Sequence, residues 1–173
     1  MNLLRFCAFS SLSASILIGS GCAGYRLGAV KPATLSHINS IAIPTFKNET
    51  LKQRSQVLIA NEVIKQVQQD GSYAVGTLSA ADAVLHGVIK DVRRRQLRSS
   101  RTDTLRTREI QIIIEITYSL EDTETGAILL NGTVVGRGGA YLDPNFQLTE
   151  RQTLQLAAKN AAKSLAIRLS EGY

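Results

Sequence analysis

The sequence predicts an α+β domain, a two-layer sandwich in which two helices pack on one face of a mostly antiparallel sheet of about four strands. Ile110 to Leu120 alternates apolar and polar residues, as expected of a strand with one buried face. Two other stretches, at 51–69 and from 149 onward, place apolar residues three or four positions apart, as amphipathic helices do. The order strand, helix, strands, helix then places both helices on one side of the sheet.

The first half of the domain contributes a strand, a helix and a short extended segment. Ser40 to Phe46 is predicted to be a strand, which Pro44 ends or confines to a sheet edge because proline has no N–H to donate. The helix from about Leu51 to Gln69 ends at Asp70-Gly71, since glycine readily adopts the left-handed conformation past a helix. Tyr73 to Val75 is the extended segment.

A second strand begins at Ala83, runs into three arginines and carries apolar residues on both faces. One alternate set is Leu85, Gly87 and Ile89, and the other is Val84, Val88 and Val92. Only one face of this strand can pack against the helices, so an apolar second face indicates a surface that a partner covers. A bulge that interrupts the alternation explains the same pattern, and the sequence leaves both interpretations open.

The last elements are a strand from Ile128 to Val135 and a helix that begins at Thr149. Asn131-Gly132 is either a bulge within one strand, which we favour, or a hairpin turn between two shorter strands. Thr149 and Gln152 have the spacing of a capping box, in which the hydroxyl and the amide each satisfy a backbone N–H. The many alanines of this helix would let it lie close to the sheet.

The first 21 residues have the layout of a secretory signal peptide. Arg5 is their only charged side chain, an apolar run follows, and Gly19-Ser20-Gly21 places small residues at the cleavage point. The run is too short and too rich in serine for a membrane span, which needs roughly 20 mostly apolar residues. We therefore expect a cleaved signal at 1–21, a lipid anchor and tether at 22–39, and a single domain at 40–173.

Cys22 follows these small residues and resembles the lipobox cysteine of bacterial lipoproteins. That resemblance implies that the Cys22 thiol is acylated, as with palmitate, and that the new N-terminus is acylated too. Stable membrane attachment requires two or more such chains. Ala23, by resemblance to enteric lipoproteins, favours sorting to the outer membrane. The alternative is an ordinary secretory signal with a chance cysteine.

The residue types of the mature domain exclude the common catalytic and metal sites. Cys7 leaves with the signal and Cys22 is lipidated, so no thiol remains for a disulfide, a nucleophile or a metal. His37 and His86 are the only histidines, and no glycine-rich phosphate loop, nucleophile elbow or HExxH pair occurs. We therefore predict no catalytic site, no metal and no cofactor.

The net charge of +6 comes from one short segment. Between Lys90 and Arg108, eight basic residues stand against two acidic ones, a local charge of +6. Because this segment joins two strands, its arginines should project from one end of the sheet as a hairpin that binds a polyanion. The alternative is a solvated hairpin that keeps the protein soluble or contacts acidic residues of a partner. The predicted binding residues are Arg93, Arg94, Arg95, Arg98, Arg101, Arg106 and Arg108.

Several motifs together resemble one family. They are Cys22 with Gly24-Tyr25, SIAIPTFKNET at 40–50, ADAVLHG at 81–87, the long strand, the Thr125-Gly126 turn and a C-terminal helix. Their order resembles that of LptE, the lipopolysaccharide-assembly lipoproteins of Gram-negative outer membranes. The resemblance implies a non-enzymatic subunit that plugs the lumen of the LptD β-barrel, aids barrel assembly and binds lipopolysaccharide on its way to the outer leaflet.

The expected partners are an LptD-like outer-membrane β-barrel, lipopolysaccharide, and the membrane through the N-terminal lipid. The domain would lie on the periplasmic side of the outer membrane or within the barrel lumen. The export signal and the few nearby aromatic residues argue against nucleic acid as the polyanion. The alternative function is an outer-membrane lipoprotein that regulates a cell-wall enzyme or forms a secretion assembly, since such lipoproteins share the opening strand, the helix and the Ala-Asp-x-x-Leu-x-Gly pattern.

Overall fold

The structure, a computed structural model, describes residues 31–99, 107–141 and 146–172, with the backbone alone described at 98–99, 107–108 and 146. The predicted signal peptide and Cys22 lie outside the described residues. Among the described residues, no helix combines the length and the apolar character needed to cross a membrane. The elements are β1 (Ser40–Ala42), β2 (Lys47–Asn48), α1 (Ser55–Asp70), β3 (Ala74–Gly76), β4 (Ala83–Ser99), β5 (Thr107–Asp122), β6 (Ile128–Tyr141) and α2 (Phe146–Glu171), with a 3-10 turn at Ala33–Leu35.

The predicted α+β class and its two helices are confirmed, but the sheet is mixed and has six strands in the described residues rather than about four. The strand order is β3-β1-β4-β5-β6, and β2 also pairs with β4. β1 and β2 run parallel to β4, and β3 runs parallel to β1. Pro44 explains part of one difference, because the predicted first strand, 40–46, already ends at Ala42 before this proline. The chain pairs again at Lys47–Asn48, beyond the predicted strand. Helix α1 explains the other, because a helical crossover returns the chain as a parallel strand.

A β-bulge in β4 accounts for part of its apolar second face. β4 pairs with β5 in antiparallel fashion, and the register shifts between Ile89 and Asp91. This shift returns Val92 to the face of Ile89, which is the face that the helices cover. Val84 and Val88 precede the shift and lie, half-buried, on the opposite face.

Two predictions about the C-terminal third have different outcomes. β6 is one continuous strand, so Asn131-Gly132 is not a hairpin turn, and the register shift of this pairing lies near the start of β6 instead. The prediction that Thr149 caps the last helix is wrong, because α2 already begins at Phe146. Thr149 is buried inside α2, and its carbonyl accepts a hydrogen bond from Thr153 Oγ1 at 2.6 Å.

Both helices pack on the same face of the sheet and enclose one hydrophobic core. α2 lies directly on β6 at two glycines: a Cβ built on Gly136 would be 2.5 Å from Ala161 Cβ, and one built on Gly138 would be 2.7 Å from Ala157 N. The predicted close approach of this alanine-rich helix is therefore confirmed. The core includes Leu35, Ile41, Ile59, Val63, Leu85, Ile89, Ile114, Ile116, Leu120, Leu165 and Leu169.

The residues before β1 pack against the end of the sheet where β5 finishes. Leu35 and Ile38 are buried in the core, although they belong to the stretch predicted as tether. Lys31 Nζ donates a hydrogen bond to the Ile38 carbonyl at 2.8 Å and lies 4.5 Å from the centroid of the Tyr73 ring. The N-terminal approach and the last described pair of β4 and β5, Ser99 with Thr107, therefore lie at opposite ends of the sheet.

Candidate polyanion-binding face

The predicted basic segment occupies the end of the sheet that is farthest from the N-terminal approach. Residues 93–95 are consecutive positions of β4. Arg98 lies in β4 and Arg108 in β5, and only the backbone of each is described. Arg101 and Arg106 lie outside the described residues. The two strands pair along both arms of the segment, which is the arrangement expected of a hairpin.

The consecutive arginines point to opposite faces because side chains alternate along a strand. Arg94 pairs with Ile112 of the core, and Arg94 Nη1 lies 3.9 Å from Glu150 Oε2 at the start of α2. Arg93 and Arg95 lie on the other face of the sheet, which the helices leave uncovered. The structure thus brings Arg93 and Arg95 together and places Arg94 elsewhere.

A third arginine, Arg137 of β6, belongs to the same face. The strand registers place Arg93, Ile113 and Arg137 side by side across β4, β5 and β6. Ile113 is only 3% exposed, although it lies on the face opposite the helices. Arginine stems can cover an apolar neighbour, and the two flanking arginines are at the positions from which they can do so. Two strand spacings, about 10 Å, separate the backbones of these arginines. We term Arg93, Arg95, Ile113 and Arg137 the arginine face.

Sequence reasoning missed Arg137 because the whole of β5 separates it from the basic segment along the chain. One signal could have found it. Ile113 is the single residue that breaks the alternation of β5, and an isoleucine on an outward face needs cover. The side chains directly across from it on the two neighbouring strands are the ones that can provide that cover.

The charges of the arginine face are largely available. Arg93 Nη1 forms an ion pair with Asp91 Oδ2 at 2.9 Å, but both side chains are about half exposed, and such pairs contribute only about 0–1 kcal/mol. No acidic side chain in the described part of the chain forms an ion pair with Arg95 or Arg137. Beside Arg137, a Cβ built on Gly139 would meet nothing closer than 3.7 Å. A ligand can therefore approach this face.

The chemistry of the arginine face suits an anion with several phosphate groups. A guanidinium group stays charged at all physiological pH values, and its planar fork of N–H donors binds phosphate oxygens in pairs. The sheet backbone fixes the spacing of the arginines, and the buried Ile113 lies between two of them. This arrangement suits the binding of such an anion.

Apart from the arginine face, a recess of about 400 Å³ lies at the opposite end of the sheet beside the β5–β6 turn. The Thr125 backbone N–H and the His37 side chain hold the pKa of Asp122 down to about 2 by hydrogen bonding to its carboxylate. The backbone N–H groups of residues 39–40 likewise lower the pKa of Asp82. Asp122 thus fixes the β5–β6 turn, and Asp82 fixes the chain segment at the start of β1. The described residues contain no cluster that could hold a metal ion.

Solved structures with little sequence similarity share this fold. A minor lipoprotein from Acinetobacter baumannii has a TM-score of 0.52 and 10% identity, covering 77% of this chain and 93% of that chain. A PelC dodecamer from Paraburkholderia phytofirmans has a TM-score of 0.51 and 15% identity, covering 82% and 94%. A protein from Xanthomonas campestris has a TM-score of 0.53 and 8% identity, covering 83% and 86%. The chain thus has an α+β fold that bacterial lipoproteins also adopt.

The sequence identifies the family within this class. Residues 38–170 match the LptE family, described as Lipopolysaccharide-assembly, and the chain belongs to that family. The match extends from just before β1 into α2, so it includes both helices and the arginine face. No curated protein sequence matches the chain. The family resemblance seen in the motifs is confirmed, whereas the role of the arginines remains a prediction.

Proposed function

We propose that this chain is an outer-membrane lipoprotein that plugs and helps to assemble an LptD β-barrel and binds lipopolysaccharide during its transport to the outer leaflet. It serves as a binding and structural subunit rather than as an enzyme, and acylated Cys22 anchors it to the membrane. Membership of the LptE family supports this role. The observation that carries the lipopolysaccharide part is the row of Arg93, Ile113 and Arg137 on the uncovered face.

Lipopolysaccharide matches the chemistry of this row. Its lipid part is a phosphorylated sugar unit, and guanidinium groups bind phosphate oxygens in pairs. One exposed arginine contact contributes only about 0–1 kcal/mol, and useful affinity needs several converging arginines. Arg93, Arg95 and Arg137 provide three guanidinium groups on one face. Within a barrel lumen that limits water, each contact would be stronger, because the local dielectric constant is lower.

The path from the anchor to the domain also supports the plug. Eight residues, 23–30, separate Cys22 from Lys31, and such a segment spans at most about 30 Å when extended. The end of the sheet that holds Lys31 therefore stays near the membrane. Arg93 lies ten residues along β4 from Ala83, or about 33 Å farther away. A barrel that encloses the domain lengthwise would hold the arginine face away from the phospholipids of the anchoring leaflet.

Binding of purified lipopolysaccharide to the full-length protein in mild detergent tests this role. Arg93→Glu combined with Arg137→Glu should weaken binding about tenfold, since two arginine contacts of up to about 1 kcal/mol each are lost and about 1.4 kcal/mol corresponds to a tenfold change. The salt dependence of binding should also decrease. Lys159→Glu combined with Lys163→Glu is the matched control, because it makes the same charge change on exposed positions of α2.

The control variant should bind lipopolysaccharide within about twofold of the unchanged protein, as expected for distant surface charges. Equal affinities of the two double variants would contradict the role of the arginine face. Copurification of a cell-wall enzyme instead of a β-barrel would favour the regulatory alternative.

A further inference from the structure

The outer edge of β6 has a hydrogen-bond partner at Arg137, whereas the part of the edge that precedes Arg137 has none among the described residues. β6 is the last strand of the sheet, so its second edge has no partner strand among the described residues. At Arg137 the backbone carbonyl still has a partner, because Asn160 Nδ2 of α2 donates a hydrogen bond to it at 2.7 Å. This contact shows that the carbonyl of Arg137 points away from β5.

The same outward direction recurs at every second residue, because antiparallel pairing alternates along a strand. Asn131, Thr133 and Val135 therefore also direct their N–H and C=O groups outward. These groups form no backbone hydrogen bond with any described residue. The stretch from Ile128 to Gly136 also has no charged residue and no proline, which are the usual means of protecting an open edge.

One side of helix α2 lies beside this open edge and combines Ile167 with the polar residues Asn160, Lys163 and Ser164. Asn160 and Ile167 are two helical turns apart, so both lie on the side of α2 that reaches the edge. α2 runs antiparallel to β6, which places Ile167 toward the beginning of the strand. Ile167 is 40% exposed and Ile128 is 62% exposed. Unpaired backbone groups and exposed apolar side chains thus occur along the same edge.

We propose that the edge of β6 between Asn131 and Val135 accepts an extended segment of a partner protein, which adds a strand to the sheet. Backbone N–H and C=O groups at this spacing are complementary to another extended backbone. Alternate side chains of the incoming segment face α2, where Ile167 offers an apolar contact beside the polar residues Lys163 and Ser164. The remaining side chains lie beside Thr133 on the uncovered face of the sheet.

A second copy of this chain does not fit the same edge. Two paired β6 strands would be about 4.8 Å apart. Because α2 lies directly on β6 at Gly136 and Gly138, the α2 helices of the two copies would come closer than the roughly 8–10 Å at which helices pack. A single extended segment avoids this clash. The inference rests on the proposed function only in making the β-barrel the first partner to examine.

Photo-crosslinking of the full-length protein in cells tests the register of this contact. A photoreactive phenylalanine replaces Asn131, Thr133 or Val135, and mass spectrometry identifies the crosslinked residues of the partner. Strand addition predicts that the three positions crosslink to residues that advance by two along one partner segment. Ser119, on the same face of the interior strand β5, is the control and should show no such progression. Adducts without the two-residue step, or no adducts from the three edge positions, would overturn the proposal.

A matched pair of substitutions tests the backbone contact itself. Thr133→Pro removes the outward N–H, a change that edge strands tolerate, and should reduce the amount of complex recovered about fivefold. Thr133→Ala keeps the N–H and should leave recovery within about twofold. Equal recovery of the two folded variants would overturn the proposal. If melting curves show that Thr133→Pro does not fold, the crosslinking register decides.

The crosslinking result also separates this inference from the proposed function. A two-residue step along a protein that is not a β-barrel would support strand addition and contradict the plug. A copurifying β-barrel without that step would support the plug and overturn strand addition.

Discussion

Gly136 of β6 sets how closely α2 can approach the sheet. A Cβ built on Gly136 would lie 2.5 Å from both Cβ and backbone N of Ala161, and closer still to the Ala157 carbonyl. Real Cβ atoms essentially never make contacts under 3.0 Å. Two of these three neighbours are backbone atoms of a packed helix, which cannot rotate away. Gly136→Ala therefore requires α2 to move off β6.

The size of the effect follows from this displacement. Restoring an ordinary contact requires a shift of roughly 1 Å, which also loosens the packing of α2 on the rest of the core. Overpacking of this kind costs about 1–3 kcal/mol, and the rigid backbone neighbours place Gly136→Ala near about 3 kcal/mol. For a domain of this size, 1 kcal/mol changes the melting temperature by about 2–4 °C, so the expected decrease is about 6–12 °C.

Gly139→Ala is the matched control, because it makes the same chemical change in the same strand. Its Cβ would meet its nearest neighbour at 3.7 Å, an ordinary contact. The control should be as stable as the unchanged protein or slightly more stable, since alanine reduces the conformational freedom of the unfolded chain. Thermal and urea unfolding of the full-length protein, followed by circular dichroism, measures both. A Gly136→Ala variant as stable as Gly139→Ala would refute the close packing of α2 on β6.

Three further substitutions test separate contacts. Asp122 has a pKa of about 2 in the folded protein against an ordinary value of 3.8, so its carboxylate stabilises the fold above pH ~4 and loses this effect as the pH falls toward 2. The stability difference between the unchanged protein and Asp122→Asn should shrink over that range, and a constant difference would contradict the assignment. Tyr73→Phe removes a buried hydrogen bond from Tyr73 Oη to the Leu169 carbonyl at 2.9 Å and should cost about 1 kcal/mol in urea unfolding. Asn160→Ala removes the hydrogen bond from Asn160 Nδ2 to the Arg137 carbonyl, which links α2 to the edge of β6, and should increase amide hydrogen exchange along β6. An unchanged exchange pattern would argue against capping.

The fold class could be predicted because hydrophobic periodicity reports burial directly. β5 and the two helices are long enough for their periods to show, and each occurs close to its predicted place. β1, β2 and β3 are two or three residues long, so they have no measurable period. Their parallel pairing also depends on the path of α1, which the local sequence does not specify. The sheet was therefore predicted with too few strands and too little parallel pairing.

The site was predictable in its charge and not in its geometry. The distribution of charge along the sequence predicted that the basic residues cluster at one connection between strands. Which of them share a face depends on strand register, and a shift of one residue moves every later side chain to the opposite face. The bulge after Ile89 decides that Arg93 and Arg95 lie outward while Arg94 faces α2. Arg137 joins them through pairing across β5, which cannot be read from spacing along the chain.

The proposed role as the plug of an LptD β-barrel can be measured directly. Tagged full-length protein would be purified from detergent-solubilised outer membranes, and the proteins that copurify would be identified by mass. A large β-barrel in equal amount is the predicted result. A cell-wall synthase, or no β-barrel at all, would contradict the plug and favour an outer-membrane lipoprotein that regulates cell-wall synthesis.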